Sequence, residues 1–358
     1  MTSTPFPYRL VREGVVMTPT PGDPLEAEGV LNPASGRGPD GELYLLPRLV
    51  AAGNVSRVGL ARVVIEGGIP VGVERVGVVL EPEREFERGT SNAGVEDPRI
   101  TFIPRLGLHV MTYVAYGPLG PRTAVAVSDE LREWRRLGPV TFEYDDAIGT
   151  DLALFPNKDT VFFPEPVTAP DGTPSLAVLH RPVWDLDEIR AGEGAHPPAA
   201  LAESRPSIWI AFLPLDAVLA DERELTRWRR NRFLAGPEHP FEELKIGSGP
   251  APIRVPEGWL LLHHGVTGRL ETGVAQQQNV NYAAGAMILD ADEPWRVLQR
   301  TAEPLLAAET DDERSGIVPN VVFPTAIERI GDVDWVFYGM ADSKIGVARL
   351  SRNDPAAP

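Results

Sequence analysis

The chain has 358 residues, 43% of them hydrophobic, enough for one large or two ordinary globular domains. A formal net charge of −17 disfavours nucleic acid and anionic membrane as partners, since both would meet a repulsive field. With no cysteine, disulfides and thiolate zinc sites are excluded.

The N-terminal stretch Met1 to Arg9 lacks the apolar centre of a secretory signal, and no run of about 18 uncharged apolar residues follows, so a cytoplasmic protein is expected. Apolar residues fall in short runs rich in Val, Ile, Phe and Tyr, separated by Gly and Pro, which is the pattern of strands joined by turns. Five such runs lie at 42–46, 107–114, 175–179, 259–263 and 334–338. A polar patch precedes each: Leu31-Asn32-Pro33, then 95–98, 151–156, 249–253 and 321–324. Strands built on small residues with Val or Ile follow, beginning at Val58, Thr123, Ile208, Ala284 and Ile345.

This repetition predicts an all-β chain, a single five-bladed β-propeller over residues 1–358 with blades near 28–85, 95–140, 150–235, 245–300 and 315–352. The innermost strands then line a central channel on which the five patches converge. A two-domain β-sandwich is the alternative arrangement. Helical signal is scarce. The best candidate is 215–229 with Asp216 as its cap, while 189–204 reads as a loop that could overhang the channel mouth.

Pro98 fixes the backbone behind Asp97 and disfavours helix there, so this carboxylate is held rigidly. Taken alone, the pattern fits a turn aspartate as well as a catalytic acid. Arg181, in His180-Arg181-Pro182, offers a planar fork suited to carboxylate or phosphate. His263 and His264 are neighbours on a strand, so one of them faces the channel. Lys245 precedes Gly247 and Gly249, whose backbone allows close approach of an anion. Phosphate-loop, dinucleotide, nucleophile-elbow and zinc-protease motifs are absent.

In their order these elements resemble glycoside hydrolase family 130, the mannoside phosphorylases and related mannosidases. The resemblance runs from about residue 31 to residue 350. It rests on Leu31-Asn32-Pro33, Leu45-Leu46-Pro47-Arg48, Gly94-Val95-Glu96-Asp97-Pro98-Arg99-Ile100, Leu154-Phe155-Pro156, Leu179-His180-Arg181-Pro182, Lys245-Ile246-Gly247-Ser248-Gly249-Pro250, His264-Gly265-Val266 and Tyr338-Gly339-Met340-Ala341-Asp342.

The resemblance implies a five-bladed propeller and an inverting phosphorylase that reversibly converts β-mannosides and inorganic phosphate into α-mannose 1-phosphate. It implies Asp97 as general acid, acting through a mannosyl hydroxyl, and Lys158, Arg181 and His264 as phosphate ligands. Asn32, Arg48, Lys245, Tyr338 and Asp342 are the implied substrate contacts. No metal or organic cofactor is implied. The partners would be an oligosaccharide and phosphate, and because family members often assemble, a homo-oligomer is compatible. Lys158 stands where arginine is usual, Asn281-Tyr282 where Tyr-Arg is frequent, and Pro47 interrupts an aromatic position. A hydrolase on the same scaffold would need a second carboxylate, such as Glu96 or Glu165, to activate water. A propeller that binds sugar or protein without catalysis is the remaining reading.

Overall fold

Each of the five apolar runs is a strand, the second in an antiparallel packet, and each small-residue stretch is the third. The computed structural model describes residues 5–353, apart from 147, 187–191, 200, 272, 273 and 275. Blade 1 is built from Gly29–Arg37, Leu43–Ala51, Val55–Glu66 and Ile69–Leu80, and blade 2 from Ala93–Ile103, Leu108–Gly117, Gly120–Ser128 and Arg135–Pro139. Blade 3 uses Asn157–Phe162, Pro174–Pro182, Ile208–Pro214 and Arg227–Ala235, and blade 4 uses Lys245–Ser248, Gly258–Gly268, Val280–Leu289 and Val297–Arg300. Blade 5 consists of Val322–Ile330, Val333–Met340 and Lys344–Arg352, with Tyr8–Met17 as its outermost strand.

That last pairing was not legible in the repeat. Tyr8–Met17 runs antiparallel to Lys344–Arg352, so hydrogen bonds between the two ends of the chain complete blade 5 and cover an edge that would otherwise be open. Two channel-lining strands also differ from expectation. In blade 3 the strand follows the 151–156 patch, and in blade 4 it precedes the 249–253 patch. The 215–229 segment is α-helical only over Leu215–Ala220, and Pro214, not Asp216, holds the cap position. Leu225 and Trp228 are buried against Val125, Leu176 and Val178, and this draws the chain into strand at Arg227. Of the 189–204 loop, residues 189–191 and 200 lie outside the described residues.

The ring closes through five apolar seams. Strand residues alternate between faces, so a middle strand can pack on both neighbours. In blade 5, Val336 and Tyr338 face Leu260, Leu262 and Ala286 of blade 4, whereas Trp335 and Phe337 face Val30, Leu43 and Leu45 of blade 1. Equivalent clusters join blades 1 and 2 (Leu46, Leu60, Met111), 2 and 3 (Val110, Val127, Phe162, Val178) and 3 and 4 (Leu179, Phe212, Trp259, Met287). A single blade could not bury both faces; five in a ring do.

Three blades share a second fastening. Glu87, Glu242 and Glu313 are fully buried, and each closes the short helical turn ahead of or beside its blade by accepting two backbone N–H groups: those of Glu83 and Arg84, of Glu238 and His239, and of Glu309 and Thr310. Each also binds an arginine, respectively Arg136, Arg300 and Arg12. Each engages a ring on the middle strand, the Tyr113 hydroxyl at 2.7 Å, His263 Nε2 at 2.7 Å or the Tyr338 hydroxyl at 3.0 Å. A buried carboxylate is tolerable because its charge is paired and its lone pairs are filled.

Candidate active site

The inner strands of blades 1, 2 and 3 all break register, between Leu31 and Ala34, Glu96 and Arg99, and Lys158 and Val161. Inside each break lies a residue with positive φ: Asn32 at 42°, Asp97 at 47° and Asp159 at 54°. Such a bulge re-aims one side chain out of the pleat, and Asn and Asp tolerate the left-handed region better than most residues. Three polar side chains are thereby presented from equivalent places. In blade 4 the corresponding level is Gly247, where any Cβ would overlap the Asp159 carboxylate and the His264 ring.

One half of the site is built round Asp97. Its Oδ1 accepts from Asn32 Nδ2 at 2.8 Å and Arg48 Nη1 at 3.0 Å. Arg48 also donates to Glu96 at 2.8 Å, Asn54 at 3.0 Å and Ser56 at 2.9 Å. Asn54 is fixed in turn by Glu28, which accepts the backbone N–H groups of Gly53 and Asn54. Burial pushes the Asp97 carboxyl up, but Arg48, Arg99 and the Asn32 amide outweigh it and hold Asp97 below the usual carboxylate range. Asp342 lies in the same field. Burial, drawn back by Arg48 and reinforced by Asp97 and Glu96, pushes its carboxyl up to about 7.

The other half is cationic. Arg181 Nε donates to Asp159 Oδ2 at 2.5 Å, and His264 Nε2 stands 3.4 Å from the same oxygen. Burial pushes Asp159 up, yet Arg181 and His264 hold it well below its ordinary value. His264 is fully buried, and burial lowers it to about 4 against the pull of Asp159, so its imidazole is neutral at pH 7. Lys158 is the cross-strand partner of Arg181, with its ammonium 5.8 Å from the Tyr116 ring centre. Lys245 sits 5.5 Å from the Tyr282 ring centre and adds to the positive field on His264.

Arg99 joins the halves. Its Nε donates to the Gly249 carbonyl at 3.0 Å and its Nη1 to the Asp97 carbonyl at 3.2 Å. Its guanidinium lies 5.3 Å from the centre of the Phe323 ring, which itself stands 4.4 Å from the His264 ring. Asp159, Arg99 and Phe323 were not among the expected site residues. The available signal for Asp159 was a turn-forming residue inside an apolar strand, as at Asn32 and Asp97.

Asn32, Arg48, Asp97 and Asp342 therefore gather on one side, and Arg181, His264, Lys245 and Lys158 belong to the cationic side. Tyr338 joins neither, which corrects its expected place as a substrate contact: it is 1% exposed, in the seam between blades 4 and 5, with its hydroxyl committed to Glu313. His263 and His264 do face opposite ways, and His263 is bound to Glu242. Glu165 forms an exposed pair with Arg254, apart from Asp97, and Glu96 is bridged to Arg48. An apolar cleft of about 550 Å³ between blades 2 and 3, lined by Phe86, Leu119, Phe142 and Phe155, holds none of these charged groups. It lacks the convergent polar chemistry of the channel site. Among the described residues, no group of three or more His, Asp or Glu side chains is placed to hold a metal ion.

The model of the family described as beta-1,4-mannooligosaccharide phosphorylase, glycoside hydrolase family 130, matches residues 54–354. A 1,2-beta-oligomannan phosphorylase from a Thermoanaerobacter species is 31% identical over 265 residues, covering 73% of this chain and 69% of that protein. A beta-1,4-mannooligosaccharide phosphorylase from Ruminococcus albus is 36% identical over 143 residues, 39% of this chain and 40% of its own length. The structure of the beta-1,2-mannobiose phosphorylase from Listeria innocua, bound to beta-1,2-mannobiose, superposes with a TM-score of 0.68 at 20% identity over 96% of both chains, and so shares the fold. Five inter-blade seams, the Glu-Asp-Pro-Arg bulge in blade 2 and the family match agree: the chain belongs to glycoside hydrolase family 130.

Proposed function

We propose that this protein is an inverting β-mannoside phosphorylase that releases α-mannose 1-phosphate. The observation that carries the reading is the division of the channel into an acid side held by Arg48 and Asn32 and a cationic side assembled around Asp159. Phosphate would enter the positive field to which Arg181, Lys158 and Lys245 contribute. Its oxygen would attack C1 of the mannosyl unit from the face opposite the leaving sugar, inverting the anomeric centre. Both bonds to Asp97 fall on Oδ1, so Oδ2 is the oxygen offered to the substrate. A mannosyl hydroxyl would relay the proton from there to the departing oxygen. In this reading the cations orient the nucleophile and offset charge in the transition state.

The hydrolytic alternative requires a carboxylate that activates water. The bridge from Glu96 to Arg48 and the remote pair of Glu165 with Arg254 both count against it. The test is product analysis on a panel of β-mannobioses with and without phosphate. Mannose 1-phosphate formed only with phosphate supports the reading, and free mannose released at equal rates in both overturns it. The same panel identifies the linkage.

A further inference from the structure

The cationic side of the channel is built round a group that can only accept. Arg181, Lys158 and Lys245 are donors with no acceptor capacity, whereas an ionised Asp159 has nothing to donate. Asp159 stands on the bulge of the inner strand of blade 3, with φ at 54°, and its main chain is pinned there by the Ser248 hydroxyl, which donates to the Asp159 carbonyl. Its side chain is 5% exposed. Both cationic contacts fall on Oδ2, Arg181 Nε at 2.5 Å and His264 Nε2 at 3.4 Å. Gly247 hems in the same oxygen, since any Cβ there would overlap it. Oδ1 accepts no hydrogen bond among the described residues, and it is not one of the unpaired atoms sealed from solvent. One carboxylate oxygen is thus fixed by the protein, and the other is left open.

Burial pushes the Asp159 carboxyl up, but Arg181 and His264 more than offset this, so the group is ionised at neutral pH. An open carboxylate oxygen beside cations sorts anions by whether they carry a proton. Hydrogenphosphate has three oxygens that accept from cations and a hydroxyl that donates; sulfate is similar in size and charge and has no hydroxyl. Resting on the phosphorylase reading, we propose that Asp159 selects the nucleophile: its Oδ1 accepts the hydroxyl of hydrogenphosphate and rejects oxyanions that have no proton to give. The selection is separate from charge. Both ions are dianions, so attraction to Arg181, Lys158 and Lys245 and repulsion by Asp159 are nearly equal for the two, and the hydrogen bond makes the difference. With sulfate, two acceptor oxygens would meet with no hydrogen between them, leaving a buried acceptor unmet. A site built to hydrogen-bond a hydroxyl rejects the analogue lacking it far more strongly than a pocket rejects a small change of size. Engaging the hydroxyl at Asp159 also leaves an unprotonated oxygen of phosphate to attack C1.

The test is isothermal titration of the free protein with phosphate and with sulfate at about pH 8, where both are dianions. We expect phosphate to bind about 100-fold more tightly than sulfate. Fluorophosphate, a dianion of the same shape with no hydroxyl, should bind as weakly as sulfate, and that measurement needs no variant. In Asp159→Asn the atom that meets Arg181 Nε must still be an acceptor, so the amide oxygen takes the place of Oδ2 and the amide NH2 that of Oδ1. A donor then faces the anion, and sulfate should bind within about threefold of phosphate. A merely structural Asp159 would weaken both anions together and leave their ratio as it was. Wild type that binds sulfate or fluorophosphate within about tenfold of phosphate overturns the proposal, as does Asp159→Asn with the wild-type ratio. Product analysis on a β-mannobiose keeps the two readings apart. Mannose 1-phosphate formed by a wild type that does not discriminate removes the selection alone, whereas release of mannose independent of phosphate overturns both.

Discussion

Arg48→Gln is the most informative single perturbation of the scaffold beneath the acid. The side chains of Arg48 and Glu96 are 10% and 7% exposed, so their 2.8 Å bridge is effectively buried, and Asp97 is only slightly more open at 20%. Removing one partner of a buried pair costs about 3–5 kcal/mol, because the other charge is left without compensation. Glutamine can restore one hydrogen bond, to Glu96 or to Asn54, which places the expected loss at the lower end, about 3 kcal/mol at pH 8. The sign of its pH dependence follows from Asp97. In the native protein this group is held below its ordinary value, so its contribution to stability is present above the unfolded carboxylate range and is lost as pH falls through the lowered folded value. In the variant the abandoned carboxylates can protonate, so the difference between the two proteins should shrink to about 1 kcal/mol near pH 4.5. Urea unfolding followed by fluorescence of the seven tryptophans at several pH values measures this directly. A loss below about 1 kcal/mol at pH 8, or one that is equal at pH 8 and pH 4.5, would refute the argument that Arg48 compensates buried charge.

Arg181→Lys keeps the charge but loses the Nε bond to Asp159, so KM for phosphate should rise about tenfold while KM for the mannoside holds, as separate saturation curves would show. Gly247→Ala should be far worse than its size suggests, because the new methyl group overlaps both Asp159 and His264; isothermal titration with phosphate should show binding lost, and unchanged binding would mean that the two groups are not part of the anion site. Tyr338→Phe should leave kcat unchanged and destabilise the fold by about 1 kcal/mol by removing one of the two donors to Glu313 Oε1, detected as a lower melting temperature. His264 is lowered to about 4, so between its unfolded value and 4 the unfolded chain binds the additional proton and stability must fall with falling pH, by up to about 3 kcal/mol at full acidity. His264→Gln should flatten that part of the acid unfolding curve.

The sequence revealed the ring more clearly than it revealed the site. Strand repeats are local patterns of apolar alternation, and all five middle strands fell where those patterns placed them. What eluded them were pairings between distant segments. Nothing local marks Tyr8–Met17 as the partner of Lys344–Arg352, since that pairing depends on closure of the ring. Asp97, Arg48, Asn32, Arg181 and His264 were expected at the site only through motif resemblance; the structure places the first three in one hydrogen-bonded group and the last two around Asp159. Tyr338 was misplaced because the same resemblance carries no information on which face of a strand a residue occupies. Its place is explained by comparison across blades: Tyr113, His263 and Tyr338 each hold a buried glutamate, so all three belong to the fastening of the blades.

In the proposed reading, this separation of fastening from chemistry accounts for the lysine at 158. Rings on the middle strands carry the buried glutamates, whereas the site rests on bulges of the inner strands and on the turns above them, so exchange of a site cation leaves the seams untouched. An arginine at 158 would bring a second planar fork opposite Arg181, its cross-strand partner. Arg181 already meets Asp159 through Nε, so in the proposed reading its terminal Nη pair would be the fork offered to phosphate. A lysine beside that fork adds charge without competing for the same in-plane geometry, and its ammonium rests against Tyr116. Lys158→Arg should therefore not tighten phosphate binding by the gain usual for a bidentate contact. A drop in KM for phosphate of tenfold or more would show that two forks fit and that this account of position 158 is wrong.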